Sequence, residues 1–213
     1  MKNANPIVRA AAALAAALAL IAAQPACGED LGRPRLLIAS PAMQGFYSHA
    51  ALLILPKRDH FVGFILNRST EIHMANAFPD DPKSAQVAEA INFGGPEEAH
   101  QIYAVSRHNP GNPSKNIFGD LYITQGSEAV DRLLEEAPNE ARYFAGYVQW
   151  EPGELEKEIQ AGFWYVADAD ASVVMRRDTG SVWQDLVQKA GNGHPVPQNL
   201  QETRLELGTA PRS

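Results

Sequence analysis

Cysteine is nearly absent from this 213-residue chain, where Cys27 stands alone. One thiol forms no internal disulfide, so the fold must be held by packing. Basic charge is scarce too: 18 Lys and Arg face 25 Asp and Glu, a net charge of −7. No basic cluster offers phosphates a face, which argues against nucleic acid as a partner. The histidines (49, 60, 73, 100, 108 and 194) are scattered without the short spacings of metal ligands, so no metal is expected. A G-x-S-x-G elbow, a phosphate-binding loop and a dinucleotide fingerprint are all missing. Neither a catalytic constellation nor a cofactor is therefore expected.

Long apolar runs are missing as well, with one exception. Lys2 and Arg9 precede "AAALAAALALIAA", residues 11–23, which carries no charge and no polar face. A basic start, about a dozen apolar residues and small residues afterwards describe a signal peptide over residues 1–26. The run falls short of the roughly 20 residues a membrane span needs. Cys27 follows at once, where a lipoprotein anchor would be attached. Gln24 stands where the lipid-modification box wants an aliphatic residue, so ordinary cleavage nearby is the main expectation. Residues 27–34 then read as a linker, and an exported, envelope-associated protein is expected.

From residue 35 the chain alternates strands and helices. "RLLIAS", "AALLIL", "FVGFIL", "QIYAVS", "LYIT", "RYFAGYV" and "WYV" read as strands. A helix is expected over "DPKSAQVAEAI", with Asp81 as cap and Pro82 at its first position. "SEAVDRLLEEA" gives a second helix with Val130, Leu133 and Leu134 on one face. "VWQDLVQKAG" gives a last one, ending at Gly191. Residues 107–119 hold the Asn, Pro and Gly of an exposed loop. Residues 192–213 carry three prolines and read as a loosely ordered tail. The fold class is α+β, a single compact domain over residues 35–191.

Two segments resist a reading as packing alone. "GFILNRS" ends a strand with Asn67 and Arg68, a polar pair able to fork onto an anion. "NFGGPEE" places Gly94 and Gly95 before Pro96, where backbone can approach a ligand or another chain closely. The plainer alternative is a tight turn and a structural arginine. Glu154 and Glu158 lie one helical turn apart in "WEPGELEKEIQAGFW". They read as the solvated face of a short helix starting at Pro152, with Leu155 and Ile159 inward and Gly162 turning the chain back. On that reading, changing both to glutamine leaves the melting temperature nearly unchanged.

"LLIASPAM", "GFILNRS", "FGGP", "LYIT", "FAGYVQWEPGELEKEIQAGFWYV" and "WQDLVQKAG" occur in an order that resembles the YqgE/AlgH family. The resemblance covers about residues 35–191. It implies a compact α+β fold with a small barrel-like β-sheet and flanking helices. It also implies a family without an established biochemical activity, named by genetic association as transcriptional regulators. The chain departs from the family pattern in a shortened turn at Lys57-Arg58-Asp59-His60, in Ser69 where a proline commonly follows Asn-Arg, and in its leader. An exported copy cannot sit on chromosomal DNA.

The leading expectation is a non-enzymatic binding or interaction domain of the bacterial envelope. Its ligand, a protein or a small anion, would meet Asn67, Arg68, the Gly94-Gly95-Pro96 turn and Trp150. The membrane enters only through a lipid on Cys27. A cytoplasmic regulator and a hydrolase using Glu154 and Glu158 are the alternatives.

Overall fold

The structure is a computed structural model and describes residues 30–191. The leader, Cys27, the first residues of the linker and the tail lie outside the described residues. Strands β1 (Arg35–Ala39), β2 (Ala51–Pro56) and β3 (Phe61–Ile65) form an antiparallel meander. β4 (Ser69–His73) and β5 (Ala90–Phe93) pair as a side branch. β6 (Glu97–Ser106), β7 (Lys115–Phe118), β8 (Leu121–Gln125), β9 (Ala141–Trp150) and β10 (Trp164–Asp168) complete the sheet. The main path runs β10-β1-β2-β3-β9-β6-β8-β7, curled into a half-barrel. The helices are α1 (Met74–Ala77), α2 (Ser127–Glu136), α3 (Glu154–Gln160), α4 (Ala171–Val174) and α5 (Val182–Gly191). Mixed α and β elements in one compact domain are what the sequence implies.

β1 and β2 are buried on both faces, which is why they read as unbroken apolar runs rather than alternating ones. Leu36, Ile38, Leu53 and Phe64 point into the curl, where Val174, Val182 and Leu186 close the interior. Leu37, Leu52, Ile54 and Ile65 point outward to a second cluster with Trp150, Leu155 and Trp164. Under α2, Val130, Leu133 and Leu134 pack on Ile91, Ala104 and Tyr143 in a third.

The helix expected over residues 81–91 is not formed. Asp81 does cap, its carboxylate accepting from Lys83 N at 2.9 Å, but only a 3₁₀ turn over Pro82–Gln86 follows. Residues 90–93 are drawn instead into β5, which runs parallel to β9 with Asn92 opposite Phe144. Sheet pairing overrides the local start signal. The loop expected over 107–119 holds β7 at its end, paired to β8. The helix expected from Pro152 starts at Glu154, after Gly153 turns the chain at φ 78°. Gly162 takes φ 78° and turns the chain back, as its position suggests.

Two tie points hold the curl. Gly94 N donates to Ala145 O at 2.8 Å, and Gly94 O accepts from Ile65 N at 2.9 Å, so this residue bridges β3 and β9. A Cβ on Gly94 would stand 2.2 Å from Gly146 O, and one on Gly95 would stand 2.1 Å from the Tyr147 carbonyl carbon. Only glycine lets these backbones meet. The second tie is Arg142, 2% exposed. Its guanidinium donates to Val174 O at 2.8 Å, Leu66 O at 2.7 Å and Asn92 Oδ1 at 2.8 Å. Asn92 in turn donates to Tyr143 O at 3.2 Å. Burial pushes the Arg142 guanidinium down to about 10, so it is still charged at neutral pH.

Arg142→Ala orphans these acceptors, and chemical denaturation should show a loss of about 3–5 kcal/mol. Gly95→Ala drives a methyl into β9 and should cost about 3 kcal/mol or more, because backbone rather than a movable side chain opposes it.

Candidate functional site

The Asn67-Arg68 segment is turned toward its own chain. Asn67 Oδ1 accepts from Ala51 N at 2.9 Å and its amide donates to His49 O at 2.8 Å, which fastens the end of β3 to the start of β2. Arg68 donates to Phe46 O, and its guanidinium lies 4.3 Å from the Phe46 ring centroid. Desolvation there lowers its pKa. The close approach that Gly94 and Gly95 permit is likewise made to β9, and Pro96 follows at the exposed start of β6. The structure gathers Asn67, Arg68 and the glycine turn near the ends of β3 and β5, since Phe93 N donates to Arg68 O at 2.7 Å. Trp150 sits elsewhere, at the far end of β9.

Trp150 leads to the outcome for the glutamates. Glu158 Oε2 accepts from Trp150 Nε1 at 3.0 Å and from Trp164 Nε1 at 2.7 Å, with the two indoles edge to face at 6.4 Å. The solvated-face expectation therefore fails for Glu158, which is half-buried. Each indole has one N–H to satisfy at the edge of the core, and a carboxylate serves both. Glu154 is exposed, and its Oε2 accepts from Glu151 N at 2.9 Å, closing the turn that starts α3. Glu158 thus holds α3 to the sheet, and Glu154 closes the turn that leads into it.

A different site appears where the half-barrel opens. A cleft of about 410 Å³ lies over the interior cluster, with Phe64, Tyr103 and Tyr147 among its walls. Tyr103 stands edge-on to Tyr147 at 5.6 Å and tilted to Phe64 at 5.4 Å. Lys57, from the β2–β3 turn, and Lys115, the first residue of β7, meet at the rim. β9, β6 and β8 separate β3 from β7 in the sheet, so the curl alone brings the two lysines together. Desolvation lowers the Lys57 pKa, and the Lys115 charge adds to the fall. Among the described residues, neither ammonium is ion-paired. Most arginines, by contrast, are tied: Arg107 to Asp120, Arg176 to Asp185, Arg177 to Glu89, and Arg132 to the carbonyls of Pro110 and Asn112. The Arg132 bonds also fix the loop that carries Pro113 and Lys115 into the wall.

Across the tyrosines stands Glu98, which accepts from the Tyr103 hydroxyl at 2.6 Å. Burial pushes the Tyr103 phenol well above the usual tyrosine range, and that hydrogen bond adds to the push. Glu98 has φ 47°, an uncommon conformation for a non-glycine residue, at the irregularity where β6 leaves its register with β9. The sequence offered no sign of this site, because 58 positions separate Lys57 from Lys115 and no local pattern links them. Among the described residues no group of three His, Cys, Asp or Glu is placed to hold a metal ion.

This half-barrel, with its flanking helices, is the architecture of the AlgH-like family, whose model matches residues 36–194. The chain belongs to that family. It is 28% identical over 180 residues to a UPF0301 protein of Chlorobium phaeobacteroides, covering 82% of this chain and 95% of that one. A UPF0301 protein of Corynebacterium efficiens is 26% identical, covering 79% and 85%. Among solved structures, the AlgH protein of Pseudomonas aeruginosa superposes with a TM-score of 0.63 at 17% identity, over 84% of this chain and 95% of that one. Protein DIP2367 of Corynebacterium diphtheriae gives 0.60 at 23% identity, over 79% and 90%. These two likenesses show the fold.

Two outcomes test the site's scaffold. Glu158→Gln keeps an acceptor but loses its charge, and should cost about 1–3 kcal/mol, whereas Glu154→Gln should stay within about 0.5 kcal/mol. Alkaline titration reads Tyr103 and the buried Tyr143, whose phenol burial also raises. The folded state keeps both protonated above the usual pKa of about 10, so this stabilisation is whole below that pH and is lost as pH climbs toward the raised values. Their phenolate absorbance should appear only with unfolding, and Tyr→Phe at either position should shrink that step.

Proposed function

We propose that this protein is a non-enzymatic binding domain that takes a small anionic ligand in the mouth of its half-barrel. The observation that carries the reading is the pair of unpaired ammonium groups, Lys57 and Lys115, at the rim of an aromatic cleft. In an acidic protein, two like charges held together raise each other's energy, and an anion between them relieves it. The aromatic walls bury an apolar body, the usual composition of a small-molecule site. Binding is favoured over hydrolysis because Glu154 and Glu158 are committed to the α3 turn and to the two indoles.

The same proposal places the protein outside the cytoplasm, supported by the uncharged run at residues 11–23 after Lys2 and Arg9. A reporter active only outside the cytoplasm, fused after residue 30, should respond, and deleting residues 11–23 should silence it. A reporter that stayed silent would favour the cytoplasmic regulator instead. Mass spectrometry of the mature N-terminus then shows whether Cys27 carries lipid.

Ligand binding is read by thermal melts with inorganic phosphate, phenyl phosphate and succinate. A bound anion at about 100 times its Kd adds about 2.7 kcal/mol, a rise in Tm of several degrees. Lys57→Gln with Lys115→Gln should abolish that rise and leave the fold intact, since the substitutions remove repulsion. A rise that survives both substitutions places the anion elsewhere and removes this reading.

A further inference from the structure

The cleft is longer than its aromatic section. Beyond Glu98 and Tyr103 it continues into a hollow of about 250 Å³ that shares Glu98, Tyr103, Pro113 and Gln125 and adds Gln101, Ile102 and Gly126. The chemistry is thus graded: Lys57 and Lys115 line only the first part, with Gln149; Glu98, Tyr103 and Gln125 line both; and Gln101 with Ile102 lines only the second.

Each section selects a group. Two lysines at one rim, neither ion-paired among the described residues, suit a dianion, and compact point charges suit a phosphoryl group. Glu98 uses Oε2 for Tyr103, and among the described residues its Oε1 has no hydrogen-bond partner. A carboxylate oxygen at this place repels a second anion and accepts from hydroxyls. Its effect falls on Tyr103 and Tyr147, while the charge that Lys57 feels is that of Lys115. Charge is therefore divided along the cleft, positive at one end and negative in the middle. Gln101 and Gln125 each offer both a donor and an acceptor, the equipment that matches the edge of a nucleobase. The strained backbone at Glu98 (φ 47°) is kept in a sheet that has a regular alternative, as happens where a side chain must be aimed.

Building on the anion-binding reading above, we infer that the ligand is a nucleoside monophosphate. Its phosphate lies between Lys57 and Lys115, its ribose hydroxyls donate to Glu98 against the tyrosines, and its base enters the hollow beside Gln101 and Gln125. No bond is made or broken. The protein holds the nucleotide.

Titration calorimetry of the full-length chain tests this with AMP, ribose 5-phosphate, phenyl phosphate, adenosine and succinate. AMP should bind most tightly, and adenosine, which lacks the dianion, roughly tenfold or more weakly. Lys115→Gln should weaken AMP about tenfold. Glu98→Gly removes the carboxylate without straining a positive φ. It should reduce the advantage of AMP over phenyl phosphate without weakening phenyl phosphate itself. Melts of each variant confirm folding, and Gln101→Ala should weaken AMP but not ribose 5-phosphate. If phenyl phosphate or succinate equals AMP and Glu98→Gly changes nothing, the nucleotide is overturned and the anion site stands. If no phosphate and no succinate binds, both readings fall together.

Discussion

Arg142 carries a full charge into the interior, and every hydrogen bond it makes there goes to an uncharged oxygen. Both terminal nitrogens find acceptors, while Nε finds none among the described residues. Burying such a charge is costly unless its donors are satisfied, so the acceptors must already be held in place. They come from the end of β3, from β5 and from α4, three segments far apart in the chain. The guanidinium works as a fixed fork, and each segment that reaches it loses freedom to slide. Lysine could not replace it, because one ammonium lacks the planar geometry that addresses all three at once. The curl of the sheet follows from this convergence, together with the crossing of Gly94 and Gly95 over β9.

The curl has a consequence at the opposite end of the interior. A flat sheet would leave the β2–β3 turn and β7 several strand widths apart, at nearly 5 Å per strand. Wrapped around Phe64, Tyr103 and Phe144, the sheet brings Lys57 to Lys115 and opens a cleft instead of a closed core. The interior is sealed at one end by α5 and open at the other. In this fold the packing that stabilises the domain and the geometry that offers a site are one arrangement.

The aromatic-glutamate contact at α3 shows how near function and scaffold lie in composition. Two tryptophans and four glutamates fall within fifteen residues, and read as a string Glu154 and Glu158 are a solvated helix face, with hydrolysis the alternative. In space, one carboxylate satisfies two indoles and the other closes a turn. Asn67 and Arg68 show the same inversion, since a polar pair at a strand end is directed to the backbone of the neighbouring loop. Glu98, in contrast, sits on a strand of ordinary composition, and only its backbone and its place beside Tyr103 distinguish it.

Local pattern was enough for the class of fold, most of the strands and the inward face of α2. Those features rest on local periodicity and on runs such as "LLIA" and "LLIL", whose burial on both faces needs no knowledge of partners. It also supported the turn at Gly162 and the resemblance to the AlgH-like family. Long-range contacts set the remainder. Residues 81–91 carried a sound helix start yet gave up most of the helix, because pairing with β9 is worth more than a local preference that is weak in isolation. Glu158 left solvent because two indoles required an acceptor. The lysine pair, the Glu98 carboxylate and the Arg142 fork depend on positions dozens of residues apart, and a one-dimensional pattern has no term for such distances.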